Sequence, residues 1–509
     1  MIDLAHILAQ AAPSPSTFAP PPSGPDAPIP TPVLVFQPVI PELVLCGFAI
    51  VGMLYEAFAR RSSRTVHLVL ALAGLAVAGI AALKLWNWTG DPTVLGDSIA
   101  ADRFTVMATV VLVLAAAFGV IHYTHETGSG RLALRGEFYP LVLFATAGMV
   151  LIAAANDLIV VFIALEILSL SLYVLTGLGG ARSNEAAMKY FLLGAFSSAL
   201  FLYGVAMAYG ATGTTKIPDI VSALAGQTGN QALALLAMGL LVIGFGFKIA
   251  AAPFHMWTPD VYQGAPTPVV AFMSAATKVA AFFALMRVLD VALQPLTTTW
   301  TPVIYALSIV SVVLGSVLMA AQRDVKRLLG YSSVAHAGFI LAGLTSPNMI
   351  GIRAAMFYLI AYSVMTVGAF GITMLVGVKT DEPSSYDSYD GLAARSPGLA
   401  ALLTIFLLSL AGIPPTVGFI AKLTVFGAAI RAGNWPLVVV CVLTSVIAAY
   451  AYLRVVLRMY FRAPHVEVED DRSLAPQVVG LVLAITVLVL GVFPRLLSTV
   501  IESASILKW

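Results

Sequence analysis

The chain has 509 residues, 60% of them hydrophobic and only 10% charged, with a net charge of +2 spread evenly along it. That balance excludes a water-soluble domain of any size and gives nucleic acid no electrostatic footing. The two cysteines, Cys46 and Cys441, stand alone in apolar runs, with no CxxC pair or Cys/His cluster for zinc, an iron–sulfur cluster or a disulfide framework.

The first twelve residues carry no Lys or Arg, so they lack the basic n-region of a secretory signal and read as mature sequence. They open a Pro-rich N-terminal arm, residues 1–32, whose stretch PSPSTFAPPPSGPDAPIPTP holds nine prolines and is expected to run extended. Fourteen apolar spans follow, at 33–59, 65–86, 100–123, 138–155, 157–178, 185–210, 231–252, 266–293, 301–320, 326–345, 350–376, 398–430, 435–461 and 476–497. Runs of roughly 20 apolar residues cross a bilayer core of about 30 Å as helices. The expected fold class is an all-α polytopic membrane protein with about 14 transmembrane helices. An acidic run, HVEVEDD at 465–471, precedes the last span.

Every second loop is basic. Arg60, Arg61, Arg64, Arg131, Arg135, Arg182, Arg323, Lys326, Arg327, Lys379, Arg395, Arg458, Arg462 and Arg472 make fourteen cations on one side. The other side and its helix ends hold eight, Arg287 among them. The positive-inside rule makes the basic side cytoplasmic. An even number of spans then leaves both termini on the outer face.

Subtracting these residues leaves a short set of ionisable groups deep in apolar helices: Glu166, Lys248, Lys278 and Lys422, with Lys189 less deep. Glu166 lies nine residues after Asp157 and eleven before Gly177, and Lys278 ten after Pro268 and twelve before Asp290. Both are therefore expected near mid-membrane. A charge there costs at least about 2.5–3.5 kcal/mol, so such residues face a protein interior or a wet cavity and mark proton or ion paths. Snorkelling or a structural ion pair is the bland alternative. For Lys189, four residues after Glu185, a surface pair explains it almost as well as a buried role.

Two spans contain helix breakers beside a lysine. Pro253 cannot donate to the carbonyl of Ile249 and crowds it, so the helix carrying Lys248 must kink or open one turn beyond it. Lys248 is placed to serve the freed carbonyls. The twelfth span repeats the device, with Gly412, Pro414, Pro415 and Gly418 ahead of Lys422. Spans four to eight and nine to thirteen then form two five-helix units with the broken helix fourth in each, the layout of inverted-repeat transporters. The expected domains are the arm, 33–137 with three helices, 138–293 and 294–462 as the two units, and 463–509 with the acidic loop and last helix. His255, seven residues after Lys248, and His336, in GYSSVAHAGF, suit a secondary relay because histidine titrates near neutrality. No spacing gives a metal site.

These stretches resemble the antiporter-like membrane subunits of respiratory complex I. The resemblance covers nearly all of residues 33–500. It rests on ALEILSLSLYVL, EAAMKYFLLGAFSSALFLYG, FGFKIAAAPFHMWTPDVYQGAPTPVVAFMSAATKVAAF, RDVKRLLGYSSVAHAGFILAG, FYLIAYSVMTVGAFG and LSLAGIPPTVGFIAKL. Within that family, YQGAPTPVVAFMSAATK and the lysine rather than glutamate at 422 favour the N-type branch over the M-type.

The resemblance implies that Glu166 and Lys248 form the input pair of a proton channel, Lys278 the central relay and Lys422 the residue next to the exit. His255 and His336 would help bridge them. It also implies a bacterial plasma membrane, partnership with related antiporter-like and small membrane subunits, and no cofactor in this chain. NADH, FMN, iron–sulfur clusters and quinone would belong to other subunits. Burial disfavours a charged lysine and a nearby carboxylate restores it, so a change at Glu166 could switch Lys248 between holding and releasing a proton. A multisubunit cation/proton antiporter component and a purely structural membrane scaffold are the competing readings.

Overall fold

The computed structural model describes residues 35–59, 62–129, 132–226, 229–377, 384–463, 470–471 and 473–504. The Pro-rich arm and residues 465–469 of the acidic run lie outside them. Among the described residues a helix lies in every predicted span. The first six are α1 (Ile40–Phe58), α2 (Arg64–Lys84), α3 (Arg103–Gly128), α4 (Phe138–Ala154), α5 (Leu158–Thr176) and α6 (Ala181–Thr212). The span at 231–252 gives α7 (Gln231–Lys248), and beyond the break a short helix not among the predicted spans, α8 (Trp257–Gly264), precedes α9 (Thr267–Arg287), α10 (Thr297–Ala320), α11 (Val325–Leu344) and α12 (Met349–Thr373). The second broken span gives α13 (Pro397–Ala411) and α14 (Val417–Arg431), followed by α15 (Trp435–Phe461) and α16 (Leu474–Val492).

By length and composition, eleven helices among the described residues can cross a membrane, against the fourteen expected. The other three segments differ for physical reasons. Helix α4 is short at 17 residues. In α11, Lys326, Arg327, Ser332, Ser333 and His336 dilute the apolar run. The span at 397–431 is divided by its break. The all-α expectation also misses one small element, a two-residue antiparallel hairpin pairing Thr93 with Ala100 and Val94 with Ile99 between α2 and α3.

Capping residues fix where several helices begin. Asp102, Asp157, Asn230, Asp324 and Asn348 each accept backbone N–H groups from the first turn that follows, satisfying donors that the helix itself cannot. Helix α9 is the axis of the fold. Every residue from Pro268 to Arg287 is buried, and it packs chiefly on α12, α3 and α4. Its all-round apolar composition requires that position, because a helix without a polar face has no side to offer water.

Two charges assigned above to loops or helix ends are in fact buried. Arg287 is 1% exposed and pairs with Asp102 at 3.0 Å. Lys326 is 8% exposed and donates to the Ala265 carbonyl at 2.7 Å. Proximity to a helix end misleads in both cases, because groups distant in sequence close over that end: Asp102 and the Ala153 carbonyl at Arg287, and the Ala265 carbonyl at Lys326.

Candidate functional site

The first break places Lys248 as the last residue of α7, 4% exposed. Its ammonium does not snorkel. Nζ donates to Ser169 Oγ on α5 at 2.7 Å and lies within 5.8 Å of the ring centres of Phe247, Tyr173 and Tyr190. Nor does it serve the carbonyls of the break. The Phe247 carbonyl accepts from Trp257 Nε1 at 3.0 Å instead, and the Ala252 N–H is taken up by Ser311 Oγ at 2.9 Å.

Glu166 lies three residues before Ser169 on α5, half-buried, with Oε1 lacking a hydrogen-bond partner. Glu166 and Lys248, expected to act as a pair, make no ion pair among the described residues, and Lys248 binds Ser169 instead. Between Lys248 and His255 the chain turns through Ala250 at φ +58. His255 Nδ1 has no hydrogen-bond partner, and its ring faces Tyr331 at 6.4 Å.

Lys278, at the middle of α9, is 1% exposed and donates to the Ser333 carbonyl of α11. The Tyr362 ring covers it at 5.1 Å. Lys422 on α14 reaches back across the second break and donates to the Ala411 carbonyl, the last residue of α13, at 2.8 Å. An ammonium thus sits at the negative end of a half-helix, as expected where broken helices coordinate cations or protons. The Phe339 ring covers it at 4.9 Å. Gly412 makes room: its φ is +85, and a Cβ there would stand 2.9 Å from Lys422 Cδ.

His336 lies between these two lysines. Its ring contacts Tyr362, which covers Lys278, at 5.1 Å and Phe339, which covers Lys422, at 5.9 Å. Nδ1 bonds Tyr358 Oη at 2.8 Å and Nε2 bonds Tyr452 Oη at 3.3 Å. From Lys248 toward Lys278 the chain of contacts is aromatic: Tyr190 stacks on Trp257 at 4.6 Å, Trp257 meets Tyr262 at 6.3 Å, and Tyr262 Oη bonds Ser333 Oγ at 3.4 Å. Ser169, Tyr190, Trp257, Tyr262, Tyr358, Tyr362 and Tyr452 were not singled out from the sequence. The available signal was the hydroxyls themselves, since a Tyr buried in an apolar helix needs a partner for its O–H.

Lys189 lies apart from this row. Its side chain is 44% exposed and pairs with Glu185 at 2.8 Å and Asp260 at 3.0 Å. Arg327 meets the same Asp260 at 2.6 Å. These residues line a cavity of about 900 Å³ together with Arg182, Arg323 and Lys326. Partial burial works to raise the Asp260 carboxyl, but hydrogen bonds from Lys189 and Arg327 outweigh it and hold the group below its ordinary value. A depressed carboxylate contributes stability above its unfolded value of about 3.9 and loses it as pH falls through the folded value. Asp260→Asn should therefore cost less than about 1 kcal/mol at pH 7, this cluster being partly exposed. It should also flatten the acid limb of a thermal-unfolding profile below about pH 4.

Residues 155–448 match the family of transmembrane NADH:quinone oxidoreductase/Mrp antiporter proteins, a segment holding every candidate from Glu166 to Lys422. The chain is 43% identical to NADH-quinone oxidoreductase subunit N of Rhodococcus opacus, covering 92% of this chain and 95% of that one. The chain belongs to the NADH-quinone oxidoreductase subunit N family. A chain in the structure of respiratory complex I from Thermus thermophilus with bound aureothin is 35% identical, with a TM-score of 0.77 over 91% of this chain and all of that one. A chain of the Mrp complex from Dietzia shares the fold, with a TM-score of 0.81 at 22% identity over 92% of this chain and 97% of that one. Against this subunit N background, no group of three or more His, Cys, Asp or Glu side chains is placed to hold a metal among the described residues.

Proposed function

We propose that this chain is a proton-translocating membrane subunit of an NADH:quinone oxidoreductase. Protons would move from the cytoplasm to the outside through Glu166, Lys248, Lys278 and Lys422, driven by quinone reduction in other subunits. The observation that carries this reading is the environment of Lys278. The ammonium sits at the centre of a wholly buried helix with no carboxylate bound to it among the described residues, and is linked through Tyr362 and His336 to Phe339, the cover of Lys422. A lysine kept there without a neutralising partner is costly as structure and useful as a proton carrier.

Fourteen crossings belong to the proposal, as do two inverted five-helix units at 138–293 and 294–462, cytoplasmic basic loops and both termini outside a bacterial plasma membrane. So do the partners, which would be related antiporter-like and small membrane subunits. NADH, FMN, iron–sulfur clusters and quinone are assigned to those other subunits. A multisubunit cation/proton antiporter is the alternative. Sodium wants clustered carboxylates or carbonyls, whereas this row offers three ammonium groups and one carboxylate. His336 is its secondary relay group, with His255 and Lys189 ranked after it.

The test uses membrane vesicles holding the assembled enzyme. NADH should drive acidification at the same rate with or without sodium, and His336→Phe should lower that rate while leaving subunit content unchanged. A sodium requirement would favour the antiporter reading, and an unchanged rate in His336→Phe would remove His336 from the path.

A further inference from the structure

One buried carboxylate takes no part in the row described above. Glu42, in the first turn of α1, is 6% exposed, and its Oε2 has no hydrogen-bond partner. It lines a cavity of about 10 Å³ together with Asp102, Thr105 and Thr109 of α3, Val150 of α4 and Leu85. That volume is about what one water requires, and the two threonines and two carboxyl groups supply polar partners.

The charges around it settle which carboxyl is paired. Asp102 Oδ2 faces Arg287 Nη2 at 3.0 Å, and Asp102 Oδ1 also accepts the Thr105 N–H at 2.8 Å and the Thr105 hydroxyl at 2.7 Å. Arg287 Nη2 is held further by the Ala153 carbonyl of α4 at 3.3 Å. Asp102 is thus neutralised, while no ion pair reaches Glu42 among the described residues. No cation bonds Glu42 among the described residues. The cavity walls from α4 and from the end of α2 are apolar at Val150, Ala82 and Leu85; Lys84 on α2 and Arg103 on α3 are exposed, Arg103 donating to the Trp86 carbonyl at 2.9 Å, and Cys46 lies one turn along α1. An ionised carboxylate buried without a partner is far costlier than a neutral carboxyl bonded to water.

We propose that Glu42 is a proton-holding site beside the Asp102–Arg287 pair, carried as the neutral acid and bonded to a single water in this cavity. The site lies at the Arg287 end of α9, the helix that carries Lys278 nine residues earlier, about 13 Å along the axis. It would give the three N-terminal helices a protonatable group at the opposite end of α9 from the charged Lys189–Asp260 cavity, which Thr267 lines.

Infrared difference spectroscopy on the assembled enzyme, wild type against Glu42→Gln, tests this. The carbonyl stretch of one protonated carboxylic acid should be lost in the variant, and in the wild type that band should shift on transfer to D2O because the cavity holds exchangeable water. Glu42→Asp should retain the band at a moved position, which keeps the test decisive if Glu42→Gln assembles poorly. An unchanged carboxylic-acid region in both variants would mean Glu42 is ionised and would overturn the proposal. So would a band that ignores D2O.

Discussion

In the assembled enzyme, Lys278→Ala should lower NADH-driven quinone reduction and the proton movement coupled to it by on the order of 10²-fold, the low end of what a positioned proton-transfer group contributes. NADH oxidation by an artificial acceptor, which bypasses the membrane part, should stay at the wild-type rate. The size follows from the site. Lys278 is 1% exposed, and Ser333 and Tyr362 are its bonding partner and cover. No neighbouring ionisable side chain hydrogen-bonds the same carbonyl among the described residues, so nothing is in place to substitute. Quinone reduction and acidification, each normalised to subunit content in the membrane, give the measurement.

Lys422→Ala should have an effect of the same order for a second reason as well. The Ala411 carbonyl at the end of α13 would lose its donor, a cost of about 1–3 kcal/mol for a buried acceptor. Thermal stability of the complex should therefore fall along with coupled turnover. Gly412→Ala separates the two contributions, since it keeps the ammonium but crowds it. An alanine at φ +85 is strained by roughly 1–2 kcal/mol, and its Cβ would stand 3.2 Å from Lys422 Nζ. The expected result is a variant that loses stability comparably while retaining more coupled activity than Lys422→Ala. Equal activities in the two variants would mean that the geometry of the break, and not the ammonium, carries the effect.

How much of this was legible beforehand depends on the physics of each residue. Lysines in an apolar run are conspicuous because their transfer cost is large and local, so Lys248, Lys278 and Lys422 could be read from neighbouring residues alone. Proline and glycine act on their own backbone, so both breaks were legible too. What the lysines bind was not. Ser169 stands 79 residues from Lys248 in sequence and Ser333 stands 55 from Lys278, and a hydroxyl in an apolar helix signals that it needs a partner without saying which one. The role of Trp257 at the Phe247 carbonyl was given to Lys248 for the same reason: the competing donor is invisible until the break is folded. Arg287 and Lys326 were misplaced because their burial is created by helices distant in sequence, with Asp102 lying 185 residues from Arg287.

The central claim is that Lys278 gives up and regains a proton, and Lys278→Arg tests it most directly. Arginine keeps the positive charge and can still donate to the Ser333 carbonyl, but its guanidinium does not deprotonate in proteins. NADH-driven acidification of vesicles, measured on the fully assembled enzyme and normalised to subunit content, should collapse in Lys278→Arg to the level expected of Lys278→Ala. Wild-type acidification by Lys278→Arg would show that a fixed charge is all the site requires, and would contradict the relay.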